Sequence, residues 1–297
     1  MILIADSGST KTQWFLINQG QKLNFETIGY NPIILSTTEI KRSLGSTFIP
    51  QISEYRNKVS KIYFYGAGCS SKLAQTEIKE CLSLVFPSCP EIIVKSDLWA
   101  CIYATCGDEP GLCSILGTGS NACVFDGERI LDQLPSLGYV LGDEGSGGQI
   151  GKKLLYAFFY RNMPPDLAAS FEEAYSLTED AFVKTLYSTL RPNQFMASFA
   201  DFAVSNRMHP FIQELLKDCF NSFVEAHVLK LDKEKTLPIH FVGSVAHGFQ
   251  QELKAVLASH NYKCGKILKS PFPDLLVYHQ ETQKHNNTII CTRKEKK

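Results

Sequence analysis

Short apolar runs separated by polar corners organise the chain. Ile2–Ala5 runs into Asp6-Ser7-Gly8-Ser9-Thr10-Lys11-Thr12, and Trp14–Ile17 follows before Asn18-Gln19-Gly20-Gln21. That alternation predicts strand, turn, strand, turn: a β-hairpin whose first corner is unusually rich in Gly, Ser and Thr. Roughly 110 residues later the pattern recurs. Leu112–Leu116 enters Gly117-Thr118-Gly119-Ser120-Asn121, then come Ala122–Phe125 and Asp126-Gly127. Two hairpins with the same corner chemistry, one per predicted domain, point to an internal duplication.

Between the hairpins, helical and strand-like periods alternate. Thr38–Phe48 has helical spacing, Lys61–Tyr65 is a β-rich run ending at Gly66-Ala67-Gly68, and Leu73–Leu84 is helical again. Glu91–Val94 reads as a strand, and Asp97–Ala104 opens a helix. Such alternation predicts α/β layers around a mostly parallel or mixed sheet. The second half is more helical, over Gly147–Tyr160, Leu167–Tyr175, Glu179–Leu190, Phe195–Ser205 and a long segment from His209 to about Leu231. Pro238–Val242 is a strand running into Gly243-Ser244-Val245-Ala246, followed by a helix to about Ser259. Lys266–Leu268 is a last strand and Pro273–His279 a short helix. The polar, aperiodic segment Glu281–Lys297 reads as a disordered tail.

Composition narrows the classes. A chain of 297 residues predicts roughly two domains of ~150 residues each. Thirty Lys+Arg balance thirty Asp+Glu, so charge gives no case for a nucleic-acid partner or an anionic membrane surface. Ten cysteines contain no C-x-x-C pair, which argues against zinc and iron–sulfur sites. The opening apolar run is too short for a signal peptide, and no stretch reaches the ~20 apolar residues of a membrane span. A cytoplasmic location is expected.

Several segments could carry chemistry. The first corner can turn backbone N–H groups inward as an anion nest, and its small residues let a phosphate approach. Asp6 could hold a hydrated Mg²⁺ that bridges phosphate oxygens. Alone, the corner is equally an ordinary hairpin turn, and the same holds for Gly117–Ser120. It is no Walker A loop. Finding both at matching places supplies a phosphate loop from each half. Gly243-Ser244-Val245-Ala246 would let an adenosine lie against the backbone. Asp97, after a short strand, could act as a base on an attacking hydroxyl, or could cap the helix. Gly29-Tyr30-Asn31-Pro32 offers an amide for hydroxyls, or a plain turn. Gly142-Asp143-Glu144-Gly145-Ser146 offers carboxylates for vicinal hydroxyls, or first-turn acids of a helix.

The order DSGSTKT, LGTGSN, GDEGSGG, VGSVA resembles that of the N-acetylglucosamine kinase/BadF-type family of the actin/hexokinase/Hsp70-like superfamily, over about residues 1–280. The resemblance implies an α/β fold of two ribonuclease-H-like (actin-like ATPase) domains with an active-site cleft between them. The expected domains are 1–107, completed by about 268–280, and 108–267, with 281–297 as the tail. It implies ATP contacts from Ser7, Gly8, Ser9, Thr10, Lys11, Gly117, Thr118, Gly119, Ser120, Gly243, Ser244 and Ala246, and Mg²⁺ at Asp6. Sugar contacts would come from Asn31, Gly68, Thr118, Asn121 and Asp143, and with the resemblance Asp97 becomes the catalytic base rather than a cap. The implied activity is ATP-dependent phosphorylation, at the 6-hydroxyl, of N-acetylglucosamine or a related amino sugar. N-acetylmuramic acid, glucosamine and glucose stand behind it. A homodimer is compatible with it. One departure is Gln13, where related loops often carry an acid. Two other classes stay open. One is an ATPase activator of 2-hydroxyacyl-CoA dehydratases, whose iron–sulfur cluster needs grouped cysteines absent from this chain. The other is a sugar or nucleotide sensor that binds without turnover.

Overall fold

The computed structural model describes residues 1–18 and 21–281. The expected tail, apart from residue 281, and the two corner residues 19–20 lie outside the described residues. The chain divides into two units: Met1–Gly107 together with the described residues from Pro271 onward, and Asp108–Ser270.

In the first unit, β1 (Ile2–Ser7) pairs antiparallel with β2 (Lys11–Asn18), and β2 pairs antiparallel with β3 (Gln21–Ile28). On its other side β1 pairs parallel with β4 (Lys61–Gly66), which pairs parallel with β5 (Glu91–Ser96). The sheet order is therefore β3-β2-β1-β4-β5. The pattern did not predict β3. Its side chains are mostly exposed, with Thr27 the buried position, so backbone pairing to β2 defines it rather than a hydrophobic alternation.

Three helices follow from local signals. α1 (Thr37–Ser43) starts at a capping box, with the Ser36 hydroxyl accepting from Glu39 N–H and the Glu39 carboxylate accepting from Ser36 N–H at 2.8 Å. It continues through a π-helical turn, Leu44–Phe48, into Ile49–Ile52, so the helix expected to end at 48 runs one turn further. α2 (Lys72–Val85) is capped by Ser71, and α3 (Asp97–Thr105) leaves β5 directly. The core centres on Trp14, fully buried and stacked on Phe48 with ring centroids 4.1 Å apart. Its indole N–H donates to Thr27 Oγ1 at 2.9 Å, so the polar edge of the ring is satisfied.

The second unit repeats this plan. β6 (Gly111–Leu116), β7 (Ser120–Phe125) and β8 (Ile130–Gln133) form an antiparallel meander. β9 (Ile239–Val242) and β10 (Cys264–Leu268) add in parallel on the far side of β6. Numbered within each unit, both sheets read 3-2-1-4-5. That matches the two ribonuclease-H-like domains expected.

α4 (Gly147–Phe159) and α5 (Pro210–Phe223) pack on the face that carries Leu112, Leu116 and Ala122. The helix expected over 195–205 is two, Pro192–Ala197 and Ala200–Ser205, because the chain turns to bury Phe199 against Phe171 and Tyr175. The helix after β9 is likewise two, Ser244–Gly248 and Gln250–Ser259, broken at buried Phe249. No helix among the described residues is long and apolar enough to cross a membrane.

The last described segment, a helix over 274–281, belongs to the first unit. There the Tyr65 hydroxyl and His279 Nε2 are 2.9 Å apart, and Tyr278 stacks on Tyr103 at 4.2 Å. His279 is 4% exposed. Burial, with Lys61 and Lys95 nearby, pushes its pKa down from 6.5 to about 4. The unfolded chain therefore binds the extra proton between those values, and stability falls as pH drops from about 6.5 to about 4. The loss from this group is at most about 3 kcal/mol. Urea denaturation of the first unit should show that slope, and His279→Gln should flatten it; an unchanged slope would contradict the assignment.

Candidate functional site

The end of β1 and the start of β2 place the first Gly/Ser/Thr corner. Ser7 and Thr12 face each other across the hairpin, with hydroxyls 2.7 Å apart. Thr12 donates its one hydroxyl proton to Ile28 C=O at 2.9 Å, so Ser7 donates to Thr12 and accepts from Tyr30 N–H at 2.9 Å. Ser7 is fully buried, and its hydroxyl is a clamp rather than an open ligand. Gly8 N–H bonds to Lys11 C=O, closing the turn, and Gly29 N–H bonds to Thr10 C=O. A β-carbon on Gly29 would lie 2.2 Å from Gly8 O, so only glycine lets the 29–31 segment lie against the loop. Lys11 reaches Glu26 on β3 at 2.9 Å, with both side chains about half exposed.

Asn31 follows at once. Its Nδ2 is 3.4 Å from Ser9 Oγ, and its Oδ1 accepts from Ile33 N–H at 2.9 Å. Gly68, with φ +79°, packs on the same amide. Two expected sugar-contact residues thus sit together beside the first loop.

Asp6 lies on β1, and Asp97 opens α3. The cap position of α3 is Ser96, so Asp97 is the first helical residue, not the cap, and its Oδ1 accepts from Leu98 N–H at 3.0 Å. Burial raises the Asp97 pKa to about 6, against the backbone N–H groups that lower it. Asp6 is raised to about 7, first by burial and then by the charge of Asp97, with Lys11 opposing. The two carboxylates therefore share one electrostatic environment beside the loop. Cys69 shares it too: burial and the Asp97 charge push its thiol up to about 12, which leaves it an inert core group. Two carboxylates that resist charging together fit a site completed by a cation. Among the described residues no group of three or more His, Cys, Asp or Glu is arranged to hold a metal, so Mg²⁺ at Asp6 would draw its other ligands from phosphate oxygens and water. Gln13 is the direct ladder partner of Asp6, so the departure at 13 leaves an amide, not a third carboxylate, beside it.

In the second unit the corner Gly117–Ser120 joins β6 to β7. Gly117 N–H bonds to Gly119 C=O, while Gly147 and Gly148 at the start of α4 donate to the carbonyls of Gly117 and Thr118 at 2.8 and 3.1 Å. Gly243, with φ +139°, follows β9 and lies on the same corner: a β-carbon there would meet Leu116 O at 2.1 Å. Ser244 is exposed beside it, whereas Ala246 is fully enclosed in the hydrophobic core. Asn121 is 9% exposed, its Oδ1 accepting from Ala122 N–H at 2.9 Å.

Asp143, at φ +63°, turns its carboxylate onto the corner, where Oδ1 accepts from Ser120 N–H at 3.0 Å. Burial and the Glu144 charge raise its pKa, and the Ser120 bond opposes them. Asp143, Thr118, Gly119 and Ser120 thus form one cluster.

Sequence reasoning quoted Thr12, Gly29, Gly147 and Gly148 within its motifs without giving them the role of holding these loops, and it passed over His227, which faces Glu144 at 3.5 Å. The glycines had a visible signal in their clustering. His227, on the continuation of α5, had none.

A solved structure from Porphyromonas gingivalis, provisionally named an N-acetylglucosamine kinase, matches with a TM-score of 0.90 and 37% identity, over 95% of this chain and 100% of that one. A second so named, from Chromobacterium violaceum, matches at 0.72 with 17% identity, over 93% and 98%. A provisionally named sugar kinase from Cytophaga hutchinsonii matches at 0.52 with 14% identity, over 93% and 96%. The last two speak for the fold alone. No protein-family model and no curated protein matches the chain.

The packing of Gly68 on Asn31 can be tested. A β-carbon at Gly68 would lie 2.1 Å from Asn31 Oδ1, and the left-handed backbone adds strain of about 1–2 kcal/mol. Gly68→Ala should destabilise the first unit by about 2 kcal/mol or more. In Asn31→Ala the same change should cost less, only the backbone part of about 1–2 kcal/mol. Equal costs in both backgrounds, measured by urea denaturation, would contradict the contact.

Proposed function

Because the chain belongs to the N-acetylglucosamine kinase family of the actin/hexokinase/Hsp70-like superfamily, we propose that it transfers the γ-phosphoryl group of ATP to the 6-hydroxyl of N-acetylglucosamine or a related amino sugar. The observation that carries this reading is the Asp6–Asp97 carboxylate pair beside a Gly/Ser/Thr phosphate loop, in a chain 37% identical to a family member over nearly its full length.

Phosphoryl transfer needs an aligned acceptor oxygen and neutralised phosphate charge more than it needs covalent help. Asp97 is the base. Its pKa of about 6 leaves it mostly ionised at neutral pH yet basic enough to take the hydroxyl proton as the new O–P bond forms. Its first-turn position on α3 fixes its direction. Gly8, Ser9, Thr10 and Lys11, and likewise Gly117, Thr118, Gly119 and Ser120, would contact the phosphates, with Gly243 and Ser244 at the adenosine. Ala246 would support that segment from the core. Asp6 would hold Mg²⁺, which supplies charge neutralisation at the phosphate oxygens when bound. Asn31 and Asp143, with Gly68, Thr118 and Asn121, would contact the sugar.

The test is ADP release with Mg-ATP against N-acetylglucosamine, N-acetylmuramic acid, glucosamine, glucose and a no-sugar blank. Sugar-dependent release, highest with an N-acetylated amino sugar, is expected; release that is equal in the blank would overturn the kinase reading. Asp97→Asn should leave ATP binding within about twofold and lower kcat about 10²–10⁴-fold, the range typical for losing a positioned base.

A further inference from the structure

Glu144 takes no part in the reaction above, yet it faces a buried histidine. His227 lies in the π-helical turn Val224–Val228 that continues α5, and such turns recur at functional sites. It is 6% exposed, and its Nε2 is 3.5 Å from Glu144 Oε2. Its Nδ1 has no partner among the described residues. An orphaned buried N–H is rarer and costlier than an orphaned lone pair, which assigns the ring proton to Nε2, toward Glu144. The ring stacks on Phe223, with centroids 5.1 Å apart and planes at 27°. Gly145, at φ +73°, presses on the same Phe223, where a β-carbon would lie 2.8 Å from Phe223 Cβ. The turn and the helix are therefore fitted to each other at two adjoining points.

On the other side of the turn, Asp143 is tied to Ser120 N–H. Each of the two adjacent acids thus faces a different element, Asp143 bonded to the corner after β6 and Glu144 3.5 Å from the ring on the continuation of α5. Burial keeps the imidazole pKa down against the pull of Glu144, so a neutral ring orients the carboxylate without cancelling its charge. A carboxylate faced by a neutral donor suits the hydroxyls of an uncharged ligand. Contacts of this length in a ligand-free site commonly shorten when substrate binds.

We propose that His227 is a positioning residue that holds Glu144 as a second carboxylate, beside Asp143, for the hydroxyl groups of the sugar acceptor. This rests on the kinase reading. His227→Phe keeps the ring stacking and removes the donor, His227→Gln returns a donor, and Glu144→Gln removes the charge. The measurements are KM for sugar, KM for ATP, kcat and the melting temperature of each variant. His227→Phe and Glu144→Gln should each raise the sugar KM about 10-fold or more, as expected for losing a hydrogen bond to a charged group, and leave the ATP KM within about twofold. The double variant should be little worse than either single one, and His227→Gln should recover most of the sugar affinity.

An unchanged sugar KM in Glu144→Gln overturns the proposal even if the histidine variants do not fold. So does a His227→Phe enzyme in which both KM values rise and kcat falls in step with melting temperature, the mark of a purely structural histidine. If the wild-type protein shows no sugar-dependent ADP release, the kinase reading itself has failed and takes this proposal with it. An active wild type with an unaffected Glu144→Gln variant sinks the proposal alone.

Discussion

Each phosphate-loop candidate depends on a neighbouring segment that comes too close to carry a side chain. Gly29 lies on Gly8 and Ser9, and Gly243 lies on Leu116 and Gly117, with virtual β-carbons 2.2 and 2.1 Å from the carbonyl oxygens they meet. At that separation the two backbones fix one another, because any shift of the loop must move the segment behind it. The buried Ser7–Thr12–Ile28 chain of hydroxyls adds directional bonds in the first unit, and the first turn of α4 does so in the second. Both units reach the same end, a rigid small-residue corner, with different hydrogen bonds.

Electrostatics then gives the first corner its chemistry. Asp6 and Asp97 are each pushed up by burial, and Asp97 raises Asp6 further. An isolated pair of this kind would relax toward protonation, while a cation and a phosphate would supply the missing counter-charge and ligands. Gln13 keeps a third negative charge out of the same corner. The second unit has no such pair. Its adjacent acids, Asp143 and Glu144, face different partners, one bonded to a backbone N–H and one 3.5 Å from the His227 ring.

Much of this architecture was legible in the sequence because it rests on local signals. β1, β4, β6 and α2 follow apolar runs and caps, and the duplicated corners announced two sheets of one plan. β3 was not legible, since an exposed edge strand pairs through its backbone and needs no alternation. The break at Phe199 was hidden because a buried aromatic there fits a straight helix equally well on sequence alone. At the candidate site, single residues in glycine-rich corners could be picked out by type. Their holders could not. The Ser7 hydroxyl looks like a ligand in sequence and is spent on Thr12 and Tyr30, Ala246 looks like a nucleotide contact and sits in the core, and His227 meets Glu144 only because a long helix returns across the sheet.

The return of the 274–281 helix to the first unit has a consequence for how the protein is made. The second unit is contiguous in sequence, whereas the first is split around it, and its closing contacts, Tyr65 with His279 and Tyr103 with Tyr278, join residues from the two pieces. During vectorial synthesis the second unit can complete its sheet while the first still lacks its closing helix. The domain that begins first is therefore finished last, and until the chain has emerged past His279 the aromatic surface around Tyr65 and Tyr103 stays open to whatever chaperone or neighbouring chain meets it.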